Sequence, residues 1–297
     1  MINYDPHHWS SHFFDIRGSM VREIIGRVGI CVLWSAGVTA FHIYVHPLGV
    51  PSTVHSLVGV ALGLLLVFRT NSSYDRFWEG RKLWGSIVNE CRNLARGARV
   101  LLKDDPQLMR EVVRWTAAFP YSAMHGLRDR DGLGQAAALL PETEVASALA
   151  ANHTPLEVAT RITSLLAEAR DRGKISDYVL MSLDENVQLL IDYIGGCERI
   201  HRTPIPFAYM VHLRRALMLY CFTLPFALVK EFGWGTVLDT FLVTYVFFGI
   251  EEIGVEIEDP FGEDANDLPL DDICRMIERN VMSLVGDDGT GEVRAGA

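Results

Sequence analysis

One run constrains this chain more than any other part of it. From Pro51 to about Leu102 the sequence reads PSTVHSLVGVALGLLLVFRTNSSYDRFWEGRKLWGSIVNECRNLARGARVLL. It opens as a membrane-grade apolar segment, turns polar at Arg69, and keeps helical periodicity with no further proline. At ~1.5 Å per residue such a helix is roughly 75 Å long, more than twice the ~30 Å hydrocarbon core of a bilayer. A helix that leaves the bilayer without stopping carries a membrane structure into a cytosolic one. A pore with a cytosolic vestibule is built that way.

Four apolar segments qualify as membrane helices: Val28 to Val45, Ser52 to Phe68, Ala216 to Val229 with Pro225 inside it, and Gly233 to Ile250 with one acid, Asp239. Two fall short of the usual ~20 residues, so burial in a bundle or local thinning must help. A buried core helix of a soluble domain is the competing reading of the third. Arg17, Arg22 and Arg27 precede the first span, and Arg69, Arg76, Arg81 and Lys82 follow the second. The connection HPLGVPST carries neither lysine nor arginine. Positive charge thus places both termini and the 69–210 region in the cytosol. Arg214 and Arg215 before the third span agree.

The first twenty residues lack the apolar core and small-residue cleavage site of a secretory signal. Trp9, Phe13, Ile16 and Met20 share one helix face, suited to a membrane interface or to packing on protein. Five cysteines, Cys31, Cys91, Cys197, Cys221 and Cys274, are odd in number and without metal or redox spacing, which reads as reduced structural thiols. The net charge of −10 is uneven. Residues 251–297 hold 14 acidic and 3 basic side chains, a net of −11, leaving the rest at +1. Nucleic-acid binding has no support in that balance.

In the polar region, Leu83, Ile87, Cys91, Leu94, Ala98 and Leu101 recur at helical spacing. Gln107 to Leu127 predicts a helix interrupted at Pro120, and 128–153 a loop with one short helix. Thr154 followed by Pro155 reads as a cap and first turn, opening a helix that ends near Gly173. Ser176 caps the next helix, which buries Val179, Leu183, Val187, Leu190 and Ile194. Gly195-Gly196, Pro204 and Pro206 are expected to end it. No strand alternation or repeat is visible, so the fold class is all-α. The expected divisions are 1–27, an amphipathic segment; 28–68, two membrane helices; 69–210, cytosolic helices; 211–255, two further membrane helices; and 256–297, an acidic cytosolic segment.

Three separated motifs, LLLVFRTNSSYDRFWEGRKLWG after the second span, GGCERIHRTPIPFAY at 195–209, and GIEEIGVEIEDPFGEDANDLPLD at 249–271, resemble the bestrophin family in its bacterial branch. The likeness covers nearly the whole chain in order. It implies a homopentameric ion channel in a bacterial inner membrane, with one pore on the five-fold axis lined by the second helix and its extension. The family's apolar neck corresponds to Val60, Leu64 and Phe68 here; by spacing alone they share a helix face, which lipid or helix packing also explains. Gly59 and Gly63 fit as sites of close helix approach. The family's cytosolic aperture corresponds to Tyr178, with Val179 as the alternative register; an aromatic departs from the aliphatic residue expected there.

Animal bestrophins clasp calcium with an acidic run after PFG. The matching run here is diluted by alanine and asparagine, leaving Glu263, Asp264 and Asp267 as weak calcium candidates beside the simpler reading of a solvated, capped turn. No cofactor is required. Animal members are known as anion channels, whereas the bacterial branch is better regarded as cation-permeable. The acidic C-terminal segment leans the choice to monovalent cations, with a chloride channel of the same architecture as the alternative; Arg69, Arg76 and Arg81 would favour anions if they faced the lumen. A di-iron membrane enzyme needs two Glu-x-x-His pairs, and only Glu198 with His201 is present. Glu252 and Glu256 have no histidine in reach. His42 and His46, one turn apart, could bind a metal, but interfacial residues often look the same. An inverted-repeat transporter should show paired interrupted helices in matching halves, and none are visible. A scaffold would not need a membrane helix running on into a vestibule.

Overall fold

The structure is a computed structural model and describes residues 18–285. The amphipathic positions Trp9, Phe13 and Ile16 lie outside the described residues. Among those described, the regular structure is entirely helical, as the sequence predicts. Two compact units emerge. Among the described residues, one holds the chain up to Trp78 together with Thr203–Asp267; the other holds Glu79–Arg202 and the stretch that begins at Leu268.

In the first unit, helix α1 spans Val21–Tyr44 and stops where Pro47 and Pro51 forbid further helical bonding. The turn is held by Leu48 N–H donating to His42 Nδ1 at 2.8 Å. Helix α2 then runs unbroken from Ser52 to Leu101, 50 residues, matching the length expected of it. Within the unit, α1 and the start of α2 bury Ile24, Val28, Cys31, Leu62 and Leu66 against Leu213, Leu217, Cys221 and Phe248. Those last four come from helices α7 and α8 below.

The second unit forms around the rest of α2. Helix α3, Pro106–Gly126, is capped by Asp105, whose Oδ1 accepts from Leu108 N–H. That bond, more than any charge, holds the Asp105 carboxyl below its usual range. Pro120 does not interrupt α3 as the sequence predicts. Residues Trp115 through Met124 are all buried, so packing on every side carries the helix past the missing hydrogen bond. The 128–153 segment contains two short pieces instead of one, a 3₁₀ turn at Gly134–Leu139 and helix α4 at Glu142–Leu149. Helix α5 spans Thr154–Asp171, and its cap is not Thr154. His153 supplies it through Nδ1, which accepts from Leu156 N–H at 3.0 Å, while Thr154 is the first helical residue.

Helix α6, Asp177–Arg202, buries Leu183, Val187, Leu190 and Ile194, with Val179 only partly covered. It does not end at Gly195-Gly196. The pair lies inside the helix, and a Cβ at Gly196 would meet the Leu83 side chain at 3.0 Å. The glycine lets α6 approach α2; the prolines beyond Arg202 end it. Helix α9, Leu270–Met282, closes this unit through Cys274, Ile277 and Val281. All five cysteines are free and buried, and burial pushes the Cys197 thiol up to about 12, so these are packing residues.

Helix α7, Phe207–Phe232, and helix α8, Gly235–Glu256, return the chain to the first unit. Gly233 at φ +50° makes the bend between them. Both helices exceed the apolar stretches read from the sequence, because their polar turns carry paired charge such as Arg214 with Glu251. Only α1 and α2, among the described residues, are both long and apolar enough to cross a membrane by length and composition. Their apolar windows are 33% and 17% buried, unlike the covered helices at the centre of a soluble protein.

Candidate functional site

The site is built on α2. At 3.6 residues per turn, positions four apart stay on one side of a helix. Val60, Leu64 and Phe68 are 66%, 56% and 62% exposed, whereas Leu62, Leu66, Arg69 and Ser73 on the opposite side are buried. The neck candidates therefore form a continuous apolar stripe turned away from their own subunit's core. Gly59 is a place of close approach: a Cβ there would meet Tyr220 Oη at 2.7 Å. Among the described residues nothing lies within 4 Å of such a Cβ at Gly63.

The buried side of α2 carries a second feature, an ion pair between Arg69 and Glu258. Arg69, 1% exposed, donates to Glu258 Oε2 at 2.5 Å and to Ser73 Oγ at 2.8 Å. Glu258 Oε1 accepts from Ile205 N–H at 2.9 Å, and its backbone carbonyl accepts from Arg76 Nε at 3.0 Å. Arg76 also donates to Thr203 O at 2.6 Å. Glu258 of EDPFG thus ties the middle of α2 to the chain on either side of α7 and α8. Gly254 admits the Arg69 stem, which a Cβ would meet at 3.4 Å. Arg69 and Arg76 are both engaged within the chain.

Further back, within α8, Glu251 accepts from Arg27 at 3.3 Å and from Arg214 at 2.8 Å, and Glu252 from Arg27 at 2.5 Å. These pairs join the polar ends of α1, α7 and α8. Glu256 accepts from Asn266 Nδ2 at 3.1 Å.

Tyr178 stands in the first turn of α6 and is 86% exposed. The turn is capped by Ser176, whose Oγ accepts from Val179 N–H at 3.4 Å. Glu198, further along α6, is bonded to His153 Nε2 at 2.7 Å, and His201 lies 3.7 Å from Asp129. The Glu-x-x-His pair is thus split between two partners. Among the described residues no three His, Cys, Asp or Glu side chains converge as a metal site.

Of the three calcium candidates, Asp267 is buried and its Oδ2 accepts from Asp264 N–H at 2.7 Å, closing the turn after PFG. A Cβ on Gly262 would meet that same oxygen at 2.5 Å, so the glycine makes room for it. Burial, with smaller contributions from the neighbouring Asp264, Asp259 and Glu256 charges, pushes the Asp267 carboxyl up to about 6. A folded-state pKa above the ordinary carboxylate value means that protonation favours the fold. Asp267 therefore contributes stability below pH ~4 that is lost as pH rises through about 6. Asp267→Asn is expected to be tolerated at pH 7 and to remove the part of the stability profile between pH ~4 and 6. Thermal unfolding midpoints at several pH values check this; an unchanged profile would contradict it.

These features define an all-helical protein of membrane-type helices, one of which extends continuously into a polar helical region. A profile described as bacterial and fungal bestrophin protein matches residues 1–283, and the chain belongs to the bestrophin family. It is 42% identical over 281 residues to a voltage-dependent anion channel-forming protein of Nostoc sp., covering 93% of this chain and 92% of that one. The corresponding protein YneE of Escherichia coli K12 is 34% identical over 286 residues, covering 96% and 94%. The crystal structure of a bacterial bestrophin homologue from Klebsiella pneumoniae aligns with a TM-score of 0.83 at 34% identity, covering 88% of this chain and 98% of that one.

Proposed function

We propose that this chain assembles as a homopentamer in a bacterial inner membrane and forms an anion channel on the five-fold axis. The observation that carries the reading is the stripe of Val60, Leu64 and Phe68, exposed on one side of α2 while the other side is anchored in the subunit. One subunit has too few helices to enclose a pore, so a closed ring of copies must supply the wall. Five stripes then form an apolar neck. In this reading α1, the first part of α2, α7 and α8 are the four spans within 28–68 and 211–255. Residues 69–210 form the cytosolic vestibule, 256–297 an acidic cytosolic segment, and both ends are cytoplasmic.

Anions are favoured over the cation lean drawn from the family's bacterial branch and from the acidic C-terminal segment. The relatives in Nostoc and Escherichia coli are named as anion channel-forming proteins. The acidic segment is also a weaker field than its formal charge suggests. Glu251, Glu252 and Glu258 are paired with arginines of other helices, and Asp271 with Arg128. A paired carboxylate contributes little to a distant potential. Calcium forms no part of this reading.

Planar-bilayer recording of the purified protein across a potassium chloride gradient tests the proposal. The reversal potential is expected to move toward the chloride equilibrium potential, and movement toward that of potassium would overturn the selectivity. Counter-flow without unitary currents would indicate a transporter, and silence a scaffold. A monomer or dimer mass under active conditions would overturn the pore itself.

Tyr178 is the proposed cytosolic aperture. Tyr178→Ala is expected to change selectivity or rectification with little change in stability, because so exposed a side chain loses few contacts. Unfolding with unchanged current per assembly would move the aperture elsewhere, Val179 being the neighbouring register.

A further inference from the structure

We propose that a cavity of about 340 Å³ in the first unit, between the start of α2, the end of α7 and α8, binds a small organic ammonium ion. Its lining includes Ser52, His55, Tyr220, Phe232, Asp239 and Leu242. Asp239 is the acid that interrupts the fourth apolar segment. Its Oδ2 is buried and accepts no hydrogen bond. Two other polar groups of the lining are engaged elsewhere. His55 Nε2 is bonded to Tyr220 O at 3.1 Å, its ring stacks on that of Tyr220 at 4.3 Å, and Ser56 Oγ donates to Ser52 O. Among the described residues no lysine or arginine lines the cavity.

A carboxylate oxygen removed from water without a partner is unfavourable by kcal/mol, and ionisable residues within membrane segments tend to face a functional cavity. A ligand that brings its own positive donor removes that deficit. The remaining walls are apolar, and the Tyr220 and Phe232 rings suit a cation with a hydrophobic body. The volume lies at the small end of ligand sites, enough for a single-ring amine. A metal ion fits less well, because among the described residues no three His, Cys, Asp or Glu side chains converge there. The side of the membrane from which the site opens rests on the proposed topology; the binding itself does not.

The test is thermal unfolding of the full chain in detergent, titrated with benzylammonium chloride and, separately, with benzyl alcohol. Saturable stabilisation by benzylammonium and none by the alcohol is expected. Asp239→Asn should weaken the response at least tenfold. Val243→Phe, which fills the cavity and keeps the carboxylate, should abolish it and decides the matter if Asp239→Asn does not fold. Equal stabilisation by benzyl alcohol, or benzylammonium binding that survives either substitution, would overturn the proposal. Because the readout is stability, a protein that passes no current would sink the channel reading and leave this one standing.

Discussion

Replacing Val60, Leu64 and Phe68 together with alanine is expected to raise single-channel conductance several-fold while the assembly survives. An apolar ring resists wetting and makes each ion shed water, so a wider tube lowers the barrier. The three side chains are more than half exposed within the subunit, so trimming them opens no core cavity. The contrast is with Leu62 or Leu66, which are buried on the other side of the same helix. Alanine there should cost about 2–5 kcal/mol and act on stability first. Leu64→Ser should raise conductance as well, by wetting instead of widening. Unitary currents indistinguishable from the parent would place the limiting barrier outside the neck.

The second large effect is expected at the Arg69–Glu258 pair. Glu258→Gln leaves a guanidinium 1% exposed with no opposing charge, and breaking one partner of a buried pair typically costs about 3–5 kcal/mol. The denaturant midpoint of the detergent-solubilised protein should fall accordingly. Arg69→Met should cost less, because Glu258 is 15% exposed and keeps the Ile205 N–H. Combining Arg69→Met with Glu258→Leu should recover only part of the loss, since Ile205 N–H would then lack its acceptor. If Glu258→Gln unfolds within about 1 kcal/mol of the parent, the pair is not the anchor of α2 inferred from its geometry.

What the sequence determined by itself was whatever depends on local periodicity and composition. The unbroken α2, the all-helical class and the apolar faces of α2 and α6 follow from spacing along one helix, and the family from three motifs in order. The stripe of Val60, Leu64 and Phe68 was visible as a stripe, but only the packing of Leu62 and Leu66 fixed which side of α2 is free. Tertiary structure decided the rest, because those outcomes depend on partners far apart in the chain. Pro120 and Gly195-Gly196 read as breaks, yet both lie inside helices, where burial outweighs a lost bond and where Leu83 needs the space of a missing side chain. His153 replaced Thr154 as a cap because its ring could also reach Glu198. Arg69 and Glu258 stand 189 residues apart, so no local pattern could pair them. The acidic end of the chain was legible as a sum of charges but not as a field, since a sum is fixed by composition and a field by which carboxylates find a cation.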